Sequence, residues 1–336
     1  MDTSRFTQVN TTISVKEKDL FTAEQFSQML NSPDNERLGL LFQASPYQLS
    51  VNSLGQLDLV EHALMTELAK TFKWAYQESP YPELVDLFTL RYTYHNLKVL
   101  LKAKASQRDL HSLLLPIGIG SQAALKQLVS TLNSDSYPFV MVHEVQSIWA
   151  EYLDYQDSRV IEIGADLAYF KHLMTIAQSL KDGKVMQAVK IIIECYNLIT
   201  VGRAQQLGKS NSFIKQLISS QGSYPIHRYQ ELLAGSGWND LFDCLISNPY
   251  AHDLQNYQTK LSQGALSLPE LEYLSDYLLF ALFDEAKYDS DGPYLLPRYL
   301  LGKQFEVKNI RLILSALVNQ LPMAHIKERM RPIYGQ

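Results

Sequence analysis

Two stretches of this chain lie 203 residues apart and match without a gap. QMLNSPDNERLGLLFQASPY (28–47) aligns with ELLAGSGWNDLFDCLISNPY (231–250), pairing Leu30 with Leu233, Leu38 with Leu241, Pro46 with Pro249 and Tyr47 with Tyr250. A fainter copy, KQLVSTLNSDSYPFVMV, lies about halfway between them. A second set has three members: YHNLKVLLKAK (94–104), CYNLITVGRAQ (195–205) and VKNIRLILSAL (307–317). In each, an Asn (Asn96, Asn197, Asn309) precedes Leu or Ile, with an aliphatic residue at +4 and Ala at +7 (Ala103, Ala204, Ala316). Residues 289–298, DSDGPYLLPR, are the right size to be an insertion that lengthens the last spacing. Such self-similarity constrains the fold more than any single residue, because each copy must be one structural unit.

A third pattern supports the register. Glu162, Asp166 and Phe170 recur as Glu272, Asp276 and Phe280, while the first copy, near Glu61 and Met65, keeps only the Glu. The repeats define three units, 1–105, 106–211 and 212–336, the last with a C-terminal helix. Units near 100 residues suit small bundles closing around an axis. A solenoid would keep adding units of about 20–45 residues.

The local pattern is helical. LVEHALMTELAKTFKWAY places Leu59, Ala63, Leu64, Leu68 and Phe72 on one stripe. IHRYQELLAG and NDLFDCLI share the period, and LPELEYLSDYLLFALFDEAKY carries Pro269 near its start, a common first-turn position. The best candidate strand, YPFVMVH (137–143), reads as helix or loop. The expected class is all-α.

GRAQQLGKS (202–210) ends like a phosphate-binding loop. Its first Gly is separated from Gly208-Lys209-Ser210 by five residues where four are needed, and Ala-Gln-Gln-Leu are helix formers. The repeat register places Gly202 to Gln205 level with Leu101–Lys104 and Leu314–Leu317, which have no Gly-Lys-Ser. Gly202 is expected inside a helix, Gly208 as its C-cap, and Lys209 at the negative end of the helix dipole.

No other catalytic constellation assembles. HEVQS lacks the second His of a zinc motif, no G-x-S-x-G occurs, and the histidines are scattered. Cys195 and Cys244 read as buried free thiols of a reducing compartment. The N-terminus has no apolar signal region, and no run of 18 apolar residues spans a membrane. A net charge of −5 without a basic tract gives no nucleic-acid surface. Charged residues are only 19% and Tyr numbers 20, a composition that suits partner contacts. The carboxylate pairs on single helix faces suit solvent or a basic partner. Lys98, Lys102, Arg203 and Arg311 fall on the three matched segments and are the candidate partner-binding residues. Asn is mildly unfavourable within a helix, so its recurrence implies a shared packing or capping duty, capping being the simpler.

The threefold repeat, YHNLKVLLKAK, FEVKNIRLIL and the C-terminal IKERMRPIY resemble the C subunits of the V-type (archaeal and bacterial) rotary ATPases, a family that includes the eukaryotic d subunit. Ile199 stands where the other copies have Lys98 and Arg311. The resemblance implies a funnel of three pseudo-equivalent helical units around a pseudo-threefold axis. It implies a non-catalytic central-stalk part without cofactor or bound nucleotide. Such a part links the D–F shaft to the membrane rotor ring of proteolipid c/K subunits. It sits peripherally on the cytoplasmic face and passes rotation between ATP chemistry and ion transport. The alternatives are a free-standing helical scaffold, or a nucleotide-binding enzyme using residues 208–210.

Overall fold

The computed structural model describes residues 1–31, 35–233 and 267–335, and every regular element among them is helical. The α-helices are α1 (Thr7–Lys16), α2 (Ala23–Asn31), α3 (Asn35–Gln43), α4 (Leu57–Glu78), α5 (Pro82–Ser106), α6 (Gln122–Thr131) and α7 (Phe139–Tyr155). After them come α8 (Ser158–Leu180), α9 (Gly183–Gln206), α10 (Asn211–Leu217), α11 (Ile226–Leu233), α12 (Leu268–Asp284), α13 (Leu295–Val318) and α14 (Met323–Lys327). NDLFDCLI, Cys244 and the Pro249-Tyr250 end of the long match lie outside the described residues.

The chain forms two compact units, one of Met1–Phe88 with Phe280–Gln336 and one of Thr89–Leu279. The first is built on α13, which packs against α4 and α1. Its first thirteen residues, Leu295 to Val307, are all buried, including Arg298, Lys303, Gln304 and Glu306. A helix buried on every side is normally apolar throughout. Here the ionic side chains are partnered within the core. Glu306 accepts from Lys303 Nζ at 2.9 Å and from Tyr47 Oη at 2.6 Å. Burial, and then the charge of Glu306, holds the Tyr47 phenol far above its ordinary range, so it remains a donor. On α4 the buried stripe is Val60, Leu64, Met65, Leu68, Phe72 and Ala75. Leu59, expected on that stripe, is 47% exposed: one residue earlier it points off the face that meets α13.

In the second unit α8 packs on α7 and α9, and α9 packs on α10 and α11. Side chains start these helices. Asp157 accepts from Arg159 N at the start of α8, and Asp182 accepts from Lys184 N and Val185 N at the start of α9. YPFVMVH enters helix at Phe139, with Tyr137 and Pro138 leading in. By length and composition α9 would pass for a membrane span, but 61% of its apolar window is buried within the protein. Of the tyrosines expected to enrich the surface, Tyr47, Tyr92, Tyr94, Tyr137, Tyr229 and Tyr299 are buried instead. Cys195 is the buried free thiol expected, and burial pushes it up to about 12.

His172 on α8 is 2% exposed, 3.3 Å from Tyr94 Oη, and burial lowers its pKa to about 4. The unfolded chain takes up this proton below about pH 6.5 while the folded one refuses it until about pH 4. Stability from this group is therefore intact at neutral pH and falls as pH drops through that window, by about 3 kcal/mol in total. Urea unfolding of wild type and His172→Gln between pH 7 and 4 should show the difference shrinking with acid; a constant gap would contradict it.

Candidate functional site

The three repeated Asn residues lie on three helices of nearly equal length, α5, α9 and α13, of 25, 24 and 24 residues. They are 2%, 0% and 1% exposed. None caps a helix end, which corrects the capping expectation. Each side chain instead grips one downstream residue by both backbone groups. Asn96 Oδ1 accepts from Leu115 N at 2.8 Å and its Nδ2 donates to Leu115 O at 2.9 Å. Asn197 does the same to Ser219, at 2.8 and 3.0 Å, and Asn309 to Arg331, at 2.7 and 3.0 Å. The gripped residue follows by 19, 22 and 22 positions. A primary amide is the one short side chain that offers a donor and an acceptor side by side, so it mimics a backbone ladder partner.

A second hold sits one turn earlier, at Asn−3. Thr93 Oγ1 accepts from Ile119 N at 2.7 Å, Glu194 accepts from Ser223 N, and Glu306 accepts from Phe21 N at 2.5 Å. The sequence repeat does not reveal this element, because the residue type varies. Its trace is T-x-x-N once and E-x-x-N twice.

The stop of each helix is also shared. Gln107, Gly208 and Gln320, each eleven positions after its Asn, are left-handed at φ 54°, 63° and 53°. At Gly208 the cap is a Schellman motif: Gly208 N donates to Gln205 O at 2.9 Å and Lys209 N to Ala204 O at 2.9 Å. Leu321 N donates likewise to Ala316 O at 2.9 Å. Two of the repeated alanines thus supply the carbonyl that closes the cap. Ala204 and Ala316 are buried, Ala103 half-buried. Gly202 lies buried inside α9, as expected. In Gly208-Lys209 both backbone N–H groups already donate to helix carbonyls, and Lys209 Nζ lies 5.7 Å from the Phe213 ring. The geometry is a helix end, not a phosphate cradle.

The candidate basic residues all meet carboxylates of the chain itself. Lys98 is 2.8 Å from Asp166 and 3.8 Å from Glu162, and Lys102 pairs with Glu162. Arg203 pairs with Glu272. Arg311 takes Glu61 in both arms of its guanidinium, at 2.7 and 2.8 Å, with Met65 Sδ at 3.7 Å. The acids are the ones singled out by the repeat, so the basic partner anticipated for them is the matched helix of another repeat. Where Ile199 interrupts the pattern at Asn+2, Arg203 at Asn+6 takes over. The pairs run from α5 to α8, α9 to α12 and α13 to α4: from the first sequence repeat to the second, the second to the third, and the third to the first.

The pattern of the ATP synthase (C/AC39) subunit matches residues 9–329. The chain belongs to that family, one of accessory rather than catalytic subunits of V/A-type ATPases. It is 28% identical over 331 residues to the C subunit of the V-type sodium ATPase of Enterococcus hirae, covering 97% of this chain and 98% of that one. It is 24% identical over 354 residues to the C subunit of the A-type ATP synthase of Methanocaldococcus jannaschii, covering 97% and 86%. The corresponding A-type ATP synthase C subunit of Methanococcoides burtonii is 22% identical over 342 residues, covering 97% and 94%.

The two kinds of contact differ in weight. Replacing Asn197 by Ala strands a buried N–H and C=O on Ser219, at about 1–3 kcal/mol each. Arg203 is 59% exposed, and an exposed pair is worth about 0–1 kcal/mol. Denaturant unfolding should therefore rank Asn197→Ala well above Arg203→Ala. Equal losses would show that the charges, not the amide clamps, hold the repeats.

Proposed function

We propose that this chain is the non-catalytic central-stalk subunit of a V/A-type rotary ATPase, joining the D–F shaft to the proteolipid c/K rotor ring. In this role it sits peripherally at the cytoplasmic face and passes rotation between ATP chemistry and ion transport. The observation that carries the reading is family membership over residues 9–329, with relatives named as the C subunits of a sodium ATPase and of ATP synthases. The same reading makes the three repeats, 1–105, 106–211 and 212–336, a funnel around a pseudo-threefold axis. Its support is the order of the ion pairs, which returns from the third repeat to the first. A free-standing scaffold with the same repeats would not co-purify with an ATPase from washed membranes.

A face used in assembly would draw on Lys98, Lys102, Arg203 and Arg311 only by competing with Glu162, Asp166, Glu272 and Glu61. Because exposed pairs are weak, a partner of suitable charge can exchange with them at small cost. Single substitutions are then tolerated, and joint reversal costs several kcal/mol through like-charge contacts. In a complex carrying Lys98→Glu, Lys102→Glu and Arg311→Glu, folded by circular dichroism, ATP hydrolysis by the head should persist while ion pumping falls. Normal pumping and assembly would remove these residues from the coupling faces.

The enzyme alternative makes its own demand. Isolated protein should bind no ATP in calorimetry, and Lys209→Ala should leave that unchanged. Saturable micromolar binding lost in the variant would restore the nucleotide site.

A further inference from the structure

The clamp motif occurs three times, but the chain crosses it only twice. After Leu115 the chain runs on to Ile119, whose N–H meets Thr93, and α6 starts at Gln122. After Ser219 it runs on to Ser223, whose N–H meets Glu194, and α11 starts at Ile226. Each gripped segment thus leads straight into the first helix of the next repeat. In the third copy Asn309 grips Arg331, but the N–H delivered to Glu306 is that of Phe21, and the helix that follows is α2, from Ala23. The segment 331–334 and the segment 17–21 together take the place that one continuous stretch fills in the other junctions.

Side chains bridge the break. Tyr334 Oη donates to Glu17 Oε2 at 2.8 Å across 317 residues of sequence. Arg298, 1% exposed, lies 3.9 Å from the Tyr334 ring centre, 2.7 Å from Asp284 and 3.8 Å from Glu17. Gly302 makes room for the ring: a Cβ there would meet Tyr334 Cδ2 at 2.3 Å. The C-terminal helix α14 packs on α2 as well as on α13. Arg298 stands eleven positions before Asn309, where α5 has Val85 and α9 has Met186. The copy without a covalent crossing is therefore the copy with an added buried cation.

We infer that this seam is a latch, the one junction of the three at which the two held segments, 17–21 and 331–334, come free of α13 with no covalent stretch joining them. The Phe21–Glu306 contact closes a loop of 285 residues, against 26 for Thr93–Ile119 and 29 for Glu194–Ser223. No short covalent stretch therefore carries Phe21 back to Glu306 once that contact opens, as one does for Ile119 and Ser223. Opening there releases 17–21 and 331–334 together, while the connected junctions stay gripped. The latch follows from these contacts alone and holds whatever the subunit's partners are.

Hydrogen–deuterium exchange of the full-length protein, read by mass spectrometry, tests it. Peptides covering 17–22 and 330–335 should exchange as one cooperative group, and faster than those covering 115–119 and 219–223. Tyr334→Phe keeps the packed ring and removes the bond to Glu17. It should accelerate both seam segments in concert and leave the connected junctions unchanged. Glu306→Gln should do so more strongly, with Glu194→Gln as the matched control that accelerates only 219–223. Should Glu306→Gln fail to fold, Tyr334→Phe decides. Equal exchange at all three junctions, or acceleration of one seam segment without the other, would overturn the latch.

Discussion

A buried asparagine inside a long helix is a demand before it is a contact. Its amide must find both a donor and an acceptor away from water, or it costs several kcal/mol. In this protein the demand is met three times by the same solution, a backbone N–H and C=O of one residue some twenty positions on. Much else is arranged to bring that residue back. The helix must stop at a fixed distance, so Gln107, Gly208 and Gln320 turn left-handed eleven positions later. A short helical piece then reverses the chain: the 3-10 turn His111–Leu113, α10, or α14. In the first two copies the side chain at Asn−3 fixes the returning segment at a second point; in the third it holds Phe21 instead. Two holds determine position and direction where one would leave a swivel.

How much of this is legible in the sequence follows from which features are side-chain identities and which are backbone geometry. The Asn and Ala positions are visible because the clamp and the cap demand those residue types. The capping residue itself is visible only at Gly208, since Gln adopts the same φ in the other two copies at a steric cost, which at Gln320 the bonds of Gln320 N to Leu317 O and Leu321 N to Ala316 O offset. The Asn−3 hold is hidden because a Thr hydroxyl and a Glu carboxylate serve equally as acceptors of one N–H. The duty of Asn reads as capping because sequence carries no signal of what lies twenty residues downstream. On α4 periodicity places Leu64, Leu68 and Phe72 on the buried stripe but starts it at Leu59 in place of Val60, an error the 3.6-residue repeat tolerates when both neighbours are apolar.

The charges follow a different logic. Lys98, Lys102, Arg203 and Arg311 stand out because they recur on matched helices, yet recurrence alone does not separate an outward face from a pairing within the chain. The carboxylates that recur at Glu162, Asp166 and Glu272, with Glu61 alone in the first copy, hold the other half of the pattern. Taken together, basic and acidic series specify which helix lies beside which. The Ile199 copy shows how robust this is: the pairing survives the loss of a cation at Asn+2 because Arg203 at Asn+6 reaches the same neighbour. Weak partly exposed pairs add little stability, but a mismatched register would set like charges together, and that selects the neighbour.

A part that carries load between two others without doing chemistry has to resist deformation in its own body. Apolar packing resists compression but shears easily, because it is non-directional. Hydrogen bonds are directional and fail over a fraction of an ångström. Placing two of them in parallel on one buried amide, with a third one turn away, converts the return of α5 and of α9 into a fixed angle. On the proposed role this is what the repeated clamps contribute: two hinges made stiff, a third closed as a latch, and the surface pairs left weak enough to exchange with partners. A catalytic subunit would concentrate its buried polar groups at one reactive centre. Here the equivalent buried groups, Thr93 with Asn96, Glu194 with Asn197 and Glu306 with Asn309, are distributed evenly among the repeats. Each is bonded to backbone, which is the distribution that mechanical rigidity requires and chemistry does not.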